Sequence, residues 1–363
     1  MGLISDWFRR NFSDPQVVLL AVLLAVGFAV VLIFGRMLAP AIAALIIAFI
    51  LDRPVMLLRG RGMPNLVATS VVFVGFLGVA FFVVLTLLPL VLEQITELVR
   101  QLPSITLQIQ DAVLALPELY PTLFDEAQVA EIIAALRAQI LNLGEPVLQY
   151  SLASITSLVT VVVYLILAPL LVFFFLKDKE NIIQWFSRFL PIQRPLVNQV
   201  WKEVNQKIGA YIRGKVYEIL IVGVVTWLTF TVIGLEFAIL LALVTGFSVL
   251  IPYIGAAAIF FPVAAVAFFQ WGPGGDFVLA LVAYGIIQGL DGNLLAPLLF
   301  AEIVKLHASA IVVAILIFGG IWGFWGLFFA IPLATLAHEV IKAWPRRPGL
   351  LDEIVPEATP SAK

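Results

Sequence analysis

The chain has no cysteine and only two histidines, His307 and His338. Disulfides, thiolate metal centres, iron–sulfur clusters and cysteine nucleophiles are therefore excluded. Neither histidine sits in an HExxH or similar metal-binding spacing. Charge is scarce, with 12% of residues being Asp, Glu, Lys or Arg, about half of what a soluble domain carries. A net charge of -2 offers no basic face for nucleic acid. No GxxxxGK[ST] phosphate loop occurs, so no nucleotide, metal or other cofactor is expected. No nucleophile–base pair or paired catalytic carboxylates suggest an enzyme.

What the chain has in abundance is apolar length. Hydrophobic residues make up 62% of it and its mean hydropathy is +1.10, which predicts an all-α polytopic membrane protein with the lipid bilayer as its solvent. A bilayer core about 30 Å thick takes roughly 20 helical residues. Residues 17–35 meet this and are too long for the apolar core of a signal peptide, although Arg9 and Arg10 precede them. The second span, 38–58, meets Asp52, Arg53 and Pro54 near its end, and the third begins near Pro64 and stays uncharged to Leu92.

After Leu92 the pattern changes. Ile95, Leu98, Val99 and Leu102 recur at helical spacing, as do Val129, Ile132, Ile133, Leu136 and Ile140, with polar residues between them. Residues 93–149 are predicted to be a small extramembrane helical insert, either a solvated bundle or a subunit-contact and gating element. A fourth span follows at 150–176. Residues 177–216 carry Lys177, Lys179, Arg188, Arg194, Lys202, Lys207, Arg213 and Lys215, with Trp185, Phe186 and Phe189 among them. This suits basic helices lying along the inner interface. Basic residues mark the cytoplasmic side; their placement predicts cytoplasmic termini and an insert on the outside. The remaining organisation is an N-terminal span region 1–92, a C-terminal transport core 217–344 with broken helices and a tail, 345–363, expected to be disordered and cytoplasmic.

Within that core, residues 237–275 carry no charge, and Pro252-Tyr253-Ile254-Gly255 interrupts them. They form either two spans or one re-entrant hairpin, giving ten spans or eight plus a hairpin. A second apolar run, 308–337, is interrupted at Gly319, Gly320, Gly323 and Gly326. Gly255 is followed by Pro262, and Gly326 by Pro332, as paired broken helices of a transporter repeat would be. Between the two runs lies Gln288-Gly-Leu-Asp291-Gly-Asn293-Leu-Leu-Ala-Pro297, then Glu302, Lys305 and His307. Ionisable groups at such depth usually face a cavity or a partner, and Gly and Pro beside them suggest broken helices.

These residues are the candidate site. Asp291 either caps a half-helix starting at Gly292 or binds a cation or proton. Gln288 and Asn293 are ligands for a small polar solute or monovalent cation, or else interhelical hydrogen-bonding groups. His307 is a further substrate- or ion-binding candidate, or else a helix-capping or interfacial group. Pro252, Tyr253, Gly255, Pro262, Pro297, Gly323, Gly326 and Pro332 would shape the backbone of the pathway. Glu218 and Glu236 bracket the fifth span and read as interfacial acids, and His338 and Glu339 read as plain interfacial residues.

The strings 288–297, Leu306-His307, Phe318-Gly-Gly-Ile-Trp-Gly323-Phe-Trp-Gly326 and Ala330-Ile-Pro332-Leu resemble the autoinducer-2 exporter family of bacterial membrane proteins. Pro252-Tyr-Ile-Gly255, Asp52-Arg-Pro54 and Phe173-Phe-Phe-Leu176-Lys177-Asp178 agree, so the likeness covers about 17–341. It implies a secondary transporter or exporter of the bacterial inner membrane, with about eight spans and a homo-oligomeric, pentameric assembly. The solute would be autoinducer-2 or a similar molecule; the alternative is sodium/proton antiport. Two departures stand out, Asp291 where the family has Glu and Ala308 where it has Pro.

Overall fold

The computed structural model describes residues 15–114, 134, 154–252, 254–300 and 307–343. The second amphipathic helix of the insert, Tyr253, Glu302, Lys305 and the 345–363 tail lie outside them. Among the described residues the architecture is helical throughout: α1 Pro15–Gly60, α2 Asn65–Leu114, α3 Ser154–Lys177, α4 Lys179–Ser187, α5 Pro195–Ile233, α6 Ala238–Ser248, α7 Ile254–Trp271, α8 Gly275–Leu290, a π-helical turn Asp291–Leu295, α9 Ala296–Phe300, α10 Ala308–Trp322 and α11 Phe324–Ala343. Among the described residues, seven helical segments are long and apolar enough to cross a membrane. The 24-residue α3 matches the fourth predicted span. This is an all-α polytopic membrane protein.

The chain divides into two compact units. One comprises Met1–Leu38, Glu180–Tyr211 and Glu302–Lys363, and the other Ala39–Lys179 and Ile212–Ala301. The borders at 38–39 and 211–212 fall inside helices, α1 and α5. Element lengths also differ from the sequence expectation. α1 runs two span-length segments, Pro15–Gly35 and Met37–Gly60, together in one helix. α2 runs straight through residue 93, where the insert was expected to begin, and α5 runs through 216 into the membrane-spanning stretch. Helix propagation adds a hydrogen bond per residue whatever the side-chain polarity, so a change in composition need not end a helix.

In the second unit, Ala44, Ala48, Val55, Ala68, Val172 and Leu176 bring together α1, α2 and α3. Small side chains on α1 let these helices approach closely, as membrane helices do where no hydrophobic force drives them together. At one end Asn65 Nδ2 donates to the Lys177 carbonyl at 3.1 Å, and Lys179 pairs with Asp52 at 2.7 Å. A second cluster joins Phe230, Leu235, Phe237, Leu241, Val263, Ala267, Ala280 and Tyr284 from α5 through α8. The amphipathic end of α2 takes part, because Gln94 Oε1 accepts from the backbone N–H of Leu240 at 2.8 Å and satisfies a donor at the start of α6.

The uncharged 237–275 stretch forms a short helix, α6, and a longer one, α7, joined by a turn. α6 has 11 residues, about 16 Å of helix, roughly half the bilayer core. α7 has 18, about 27 Å, nearly enough to cross it. The turn between them, holding Pro252, is tight: a Cβ on Gly255 would run into the carbonyl of Ser248. Pro262 sits within α7 without ending it.

In the first unit, Leu20, Val200 and Val204 are packed with Leu196, Leu336 and Val340. α10 and α11 form an antiparallel hairpin turned by Gly323, whose φ of 59° lies in the left-handed region that glycine enters at little cost. Ala314, Ile315 and Ala330 fill its centre. Near the turn the two backbones touch, since a Cβ on Gly326 would collide with the carbonyl of Phe318. Pro332 lies inside α11. The interruption expected around Gly319–Gly326 is thus a hairpin corner.

This contact carries a prediction. Gly326→Ala forces two backbones apart and is expected to cost about 1–3 kcal/mol, the usual penalty of overpacking. Gly320→Ala, where a Cβ meets nothing within 4 Å, is expected to be neutral or slightly stabilising. Thermal unfolding of the detergent-solubilised protein measures both, and equal melting temperatures for the two variants would refute the close approach.

Candidate functional site

The site grows out of one helix face. On α5, Lys215 and Glu218 stand three residues apart, the spacing that puts side chains over one another on a helix. They form an ion pair at 2.6 Å with their side chains 6% and 3% exposed. Lys215 also donates to the Val249 carbonyl at 2.7 Å, just past the end of α6, where the unsatisfied carbonyls of a helix concentrate negative potential. Its ammonium lies 5.2 Å from the centre of the Phe300 ring on α9. That ring fits against Gly214, where a Cβ would stand 2.5 Å from Phe300 Cε1. Gly209, Gly214 and Lys215 share the spacing of a phosphate loop, but Val216 replaces its Ser/Thr and the stretch is helical.

Facing this pair is the π-helical turn at Asp291. The Ala296 N–H bonds to the Asp291 carbonyl, five residues back, so one extra residue widens the helix. Asp291 is within electrostatic reach of both Lys215 and Glu218. Its Oδ1 is buried without a hydrogen-bond partner, and so is Nε2 of Gln288, one turn earlier. Beside these groups Ile219, Val222, Val249, Ile287 and Leu295 form one apolar cluster that joins α5 to the π-turn segment. One turn before Gln288, Tyr284 is anchored by donating its hydroxyl to the Ala256 carbonyl at 2.7 Å.

The break expected at 291–297 is not a break. α8, the π-turn and α9 form one membrane-length segment, Gly275–Phe300, and Asp291 is helical with φ -60° and ψ -55°, so it caps no half-helix. Pro297 lacks the N–H that a regular helix would use and crowds the preceding turn; the wider turn just before it avoids a rupture. Asn293 is exposed and donates to the Gly289 carbonyl at 2.8 Å, an internal bond of the helix. His307 belongs to the first unit and is the N-cap of α10, its Nδ1 accepting from the backbone N–H of Ser309 at 3.3 Å. Of the four predicted ligands, Gln288 and Asp291 come together, while Asn293 and His307 serve local backbone ends.

Lys215 and Glu218 are the residues that sequence reasoning passed over, one as part of a basic cluster and the other as an interfacial acid. The available signal was their spacing: the last two charges before the uncharged run to Glu236, set three apart and opposite in sign. The first unit holds a second cluster of this kind. Glu339 is 2% exposed and pairs with Lys207, while Lys342 lies 3.9 Å from both Glu203 and Glu339. Glu339 is therefore an internal partner, not the interfacial acid it resembled. No group of three or more His, Cys, Asp or Glu able to hold a metal exists among the described residues.

With this geometry in view, the sequence profile described as AI-2E family transporter matches residues 19–346. The chain belongs to that family. It is 46% identical over 345 residues to the protein named "Putative permease PerM" of Escherichia coli strain K12, covering 95% of this chain and 98% of that one. To the protein named "Putative transport protein YueF" of Bacillus subtilis strain 168 it is 26% identical, over 84% of this chain and 82% of the other. A second Bacillus subtilis relative, "Putative transport protein YrrI", is likewise 26% identical over 85% of this chain and 87% of its own length. These names describe transport and none an enzymatic activity. The chain is thus a multi-pass membrane transporter of the AI-2E family.

The buried pair makes a quantitative prediction. Removing one partner of a buried ion pair leaves the other uncompensated and costs about 3–5 kcal/mol. Glu218→Ala is expected to lose that much stability, while Ala at the exposed Glu236 loses almost none. Denaturation of the two variants in the same detergent checks the difference, and a Glu218→Ala protein as stable as the parent would show that the pair is solvated.

Proposed function

We propose that this protein is a secondary transporter that exports a small polar solute of the autoinducer-2 kind by alternating access, with Asp291 carrying the cation or proton whose gradient drives the cycle. The observation that carries the reading is the polar centre on α5, α8 and the π-turn: a buried Lys–Glu pair beside a carboxylate oxygen that has no protein partner. Burying a polar atom without a partner is costly, and ionisable groups at this depth are kept for substrate and ion pathways. Asp291 Oδ1 accepts and Gln288 Nε2 donates, a combination suited to a hydroxylated solute. π-turns occur frequently at functional sites and can change register, which gives the Asp291 carboxylate a means of facing either side.

A second reading, cation/proton antiport, is favoured by one feature. The centre holds two carboxylates, Glu218 and Asp291, against the single ammonium of Lys215, so a monovalent cation alone satisfies it.

The distribution of Lys and Arg supports an inner-membrane orientation with both termini in the cytoplasm. Uncovered apolar side chains such as Val74, Phe81 and Phe82, each at least 65% exposed, are available to lipid or to further copies of the chain in a homo-oligomer. Asn293, Pro252, Gly255, Pro262 and Pro297 contribute by holding the backbone around the pathway.

Flux through proteoliposomes under an imposed sodium or proton gradient tests the proposal. Asp291→Asn is expected to abolish gradient-coupled movement of labelled autoinducer-2 while leaving the protein folded and its oligomer size unchanged. Unchanged coupling in that variant removes Asp291 from the mechanism. A sodium-dependent pH change without solute movement decides for antiport.

A further inference from the structure

The composition of the polar centre determines which ions it can take, an inference that rests on Asp291 being the cation-binding carboxylate. Lys215 and Glu218 are paired there, and the Asp291 carboxylate lies within electrostatic reach of both, on a segment joined to α5 and Val249 by Ile219, Val222, Ile287 and Leu295. One positive against two negative leaves a single negative charge, inside a protein segment long and apolar enough to span a membrane. Hard cations are bound by carboxylate and carbonyl oxygens, and the centre has such a set in Asp291, Glu218 and the Val249 carbonyl. Two of these three are already occupied by the Lys215 ammonium, at 2.6 Å and 2.7 Å. Lys215 is held in place on its other side by the Phe300 ring, which Gly214 admits by having no side chain. A lysine so confined acts as a tethered cation.

We propose that Lys215 is the specificity-determining residue of this centre: by occupying Glu218 and the Val249 carbonyl it limits the site to one monovalent cation at Asp291 and excludes divalent ions. A divalent ion would leave the centre with excess positive charge beside an ammonium in a medium of low dielectric, where repulsion is weakly screened. It would also find only one free carboxylate, fewer oxygens than such ions require. Removing the positive charge reverses both conditions. With Gln at 215, two carboxylates, the Val249 carbonyl and the new amide oxygen become available together.

The test uses the full-length protein purified in detergent, with Mn²⁺ as probe and binding followed by calorimetry and by electron paramagnetic resonance. The parent and Lys215→Arg are expected to bind no Mn²⁺. Lys215→Gln, which keeps amide donors for its neighbours, is expected to bind one Mn²⁺ per chain. Adding Asp291→Asn to it is expected to lower that affinity by about tenfold or more. A monodisperse Lys215→Gln protein that binds no Mn²⁺ overturns the proposal. So does equal Mn²⁺ binding by the parent, or binding that survives Asp291→Asn. If Lys215→Gln does not fold, the parent protein decides: sodium is expected to raise its melting temperature and Mn²⁺ to leave that rise unchanged, and either no rise with sodium or competition between the two ions overturns the assignment. Failure of the transport reading is seen separately, as gradient-coupled flux that persists in Asp291→Asn.

Discussion

A charge enclosed by protein must find an opposite charge or a set of dipoles there, because little water is on hand to stabilise it. The second unit is arranged around that constraint at Lys215. Its ammonium is met by the Glu218 carboxylate one turn along the same helix and by the Val249 carbonyl at the end of α6. Meeting both requires α6 to come close to α5. Gly246 and Gly223 allow this, since a Cβ at Gly246 would lie 2.9 Å from the Ile219 carbonyl oxygen. The same lysine draws Phe300 over it, which fixes the far end of the α8–α9 segment and with it the face on which Asp291 lies.

The π-turn follows from a conflict of the same type. In lipid, backbone groups must be satisfied within the protein, yet Pro297 provides no N–H and cannot fit a regular helix without strain. The chain widens by one residue instead of breaking: Ala296 reaches back to the Asp291 carbonyl, and the Asn293 side chain covers the carbonyl of Gly289. Asp291 emerges from this adjustment with one buried carboxylate oxygen unpartnered. Backbone accommodation and the unpartnered carboxylate thus occur at the same place, on a continuous helical segment and not at a pair of half-helix ends.

The first unit applies the pairing rule again with different residues. Glu339 is drawn inward to Lys207, with Lys342 and Glu203 around them. The tight α10–α11 hairpin, with glycines at the corner and at the contact, holds Glu339 on the face that meets Lys207.

Much of the fold is legible in the sequence. Apolar length determined the membrane class and the spans, because about 20 uninterrupted apolar residues have no other stable place. Glycine and proline at 252–262 and 319–332 marked two interruptions that the structure contains as turns. Gln288 and Asp291 were identifiable as polar residues where polarity is costly. Other features could not be read. Helix ends depend on where hydrogen bonding stops, so α2 and α5 pass through the positions at which their composition changes. Asn293 and His307 carry ligand-type side chains, but local backbone groups claim both. Lys215, Glu218 and Glu339 looked interfacial because burial is a property of what packs against a residue. The sequence by itself determined that charges would be few and enclosed by helices; only the tertiary structure decided which of them meet, because partners 34 or 132 positions apart become neighbours through packing alone.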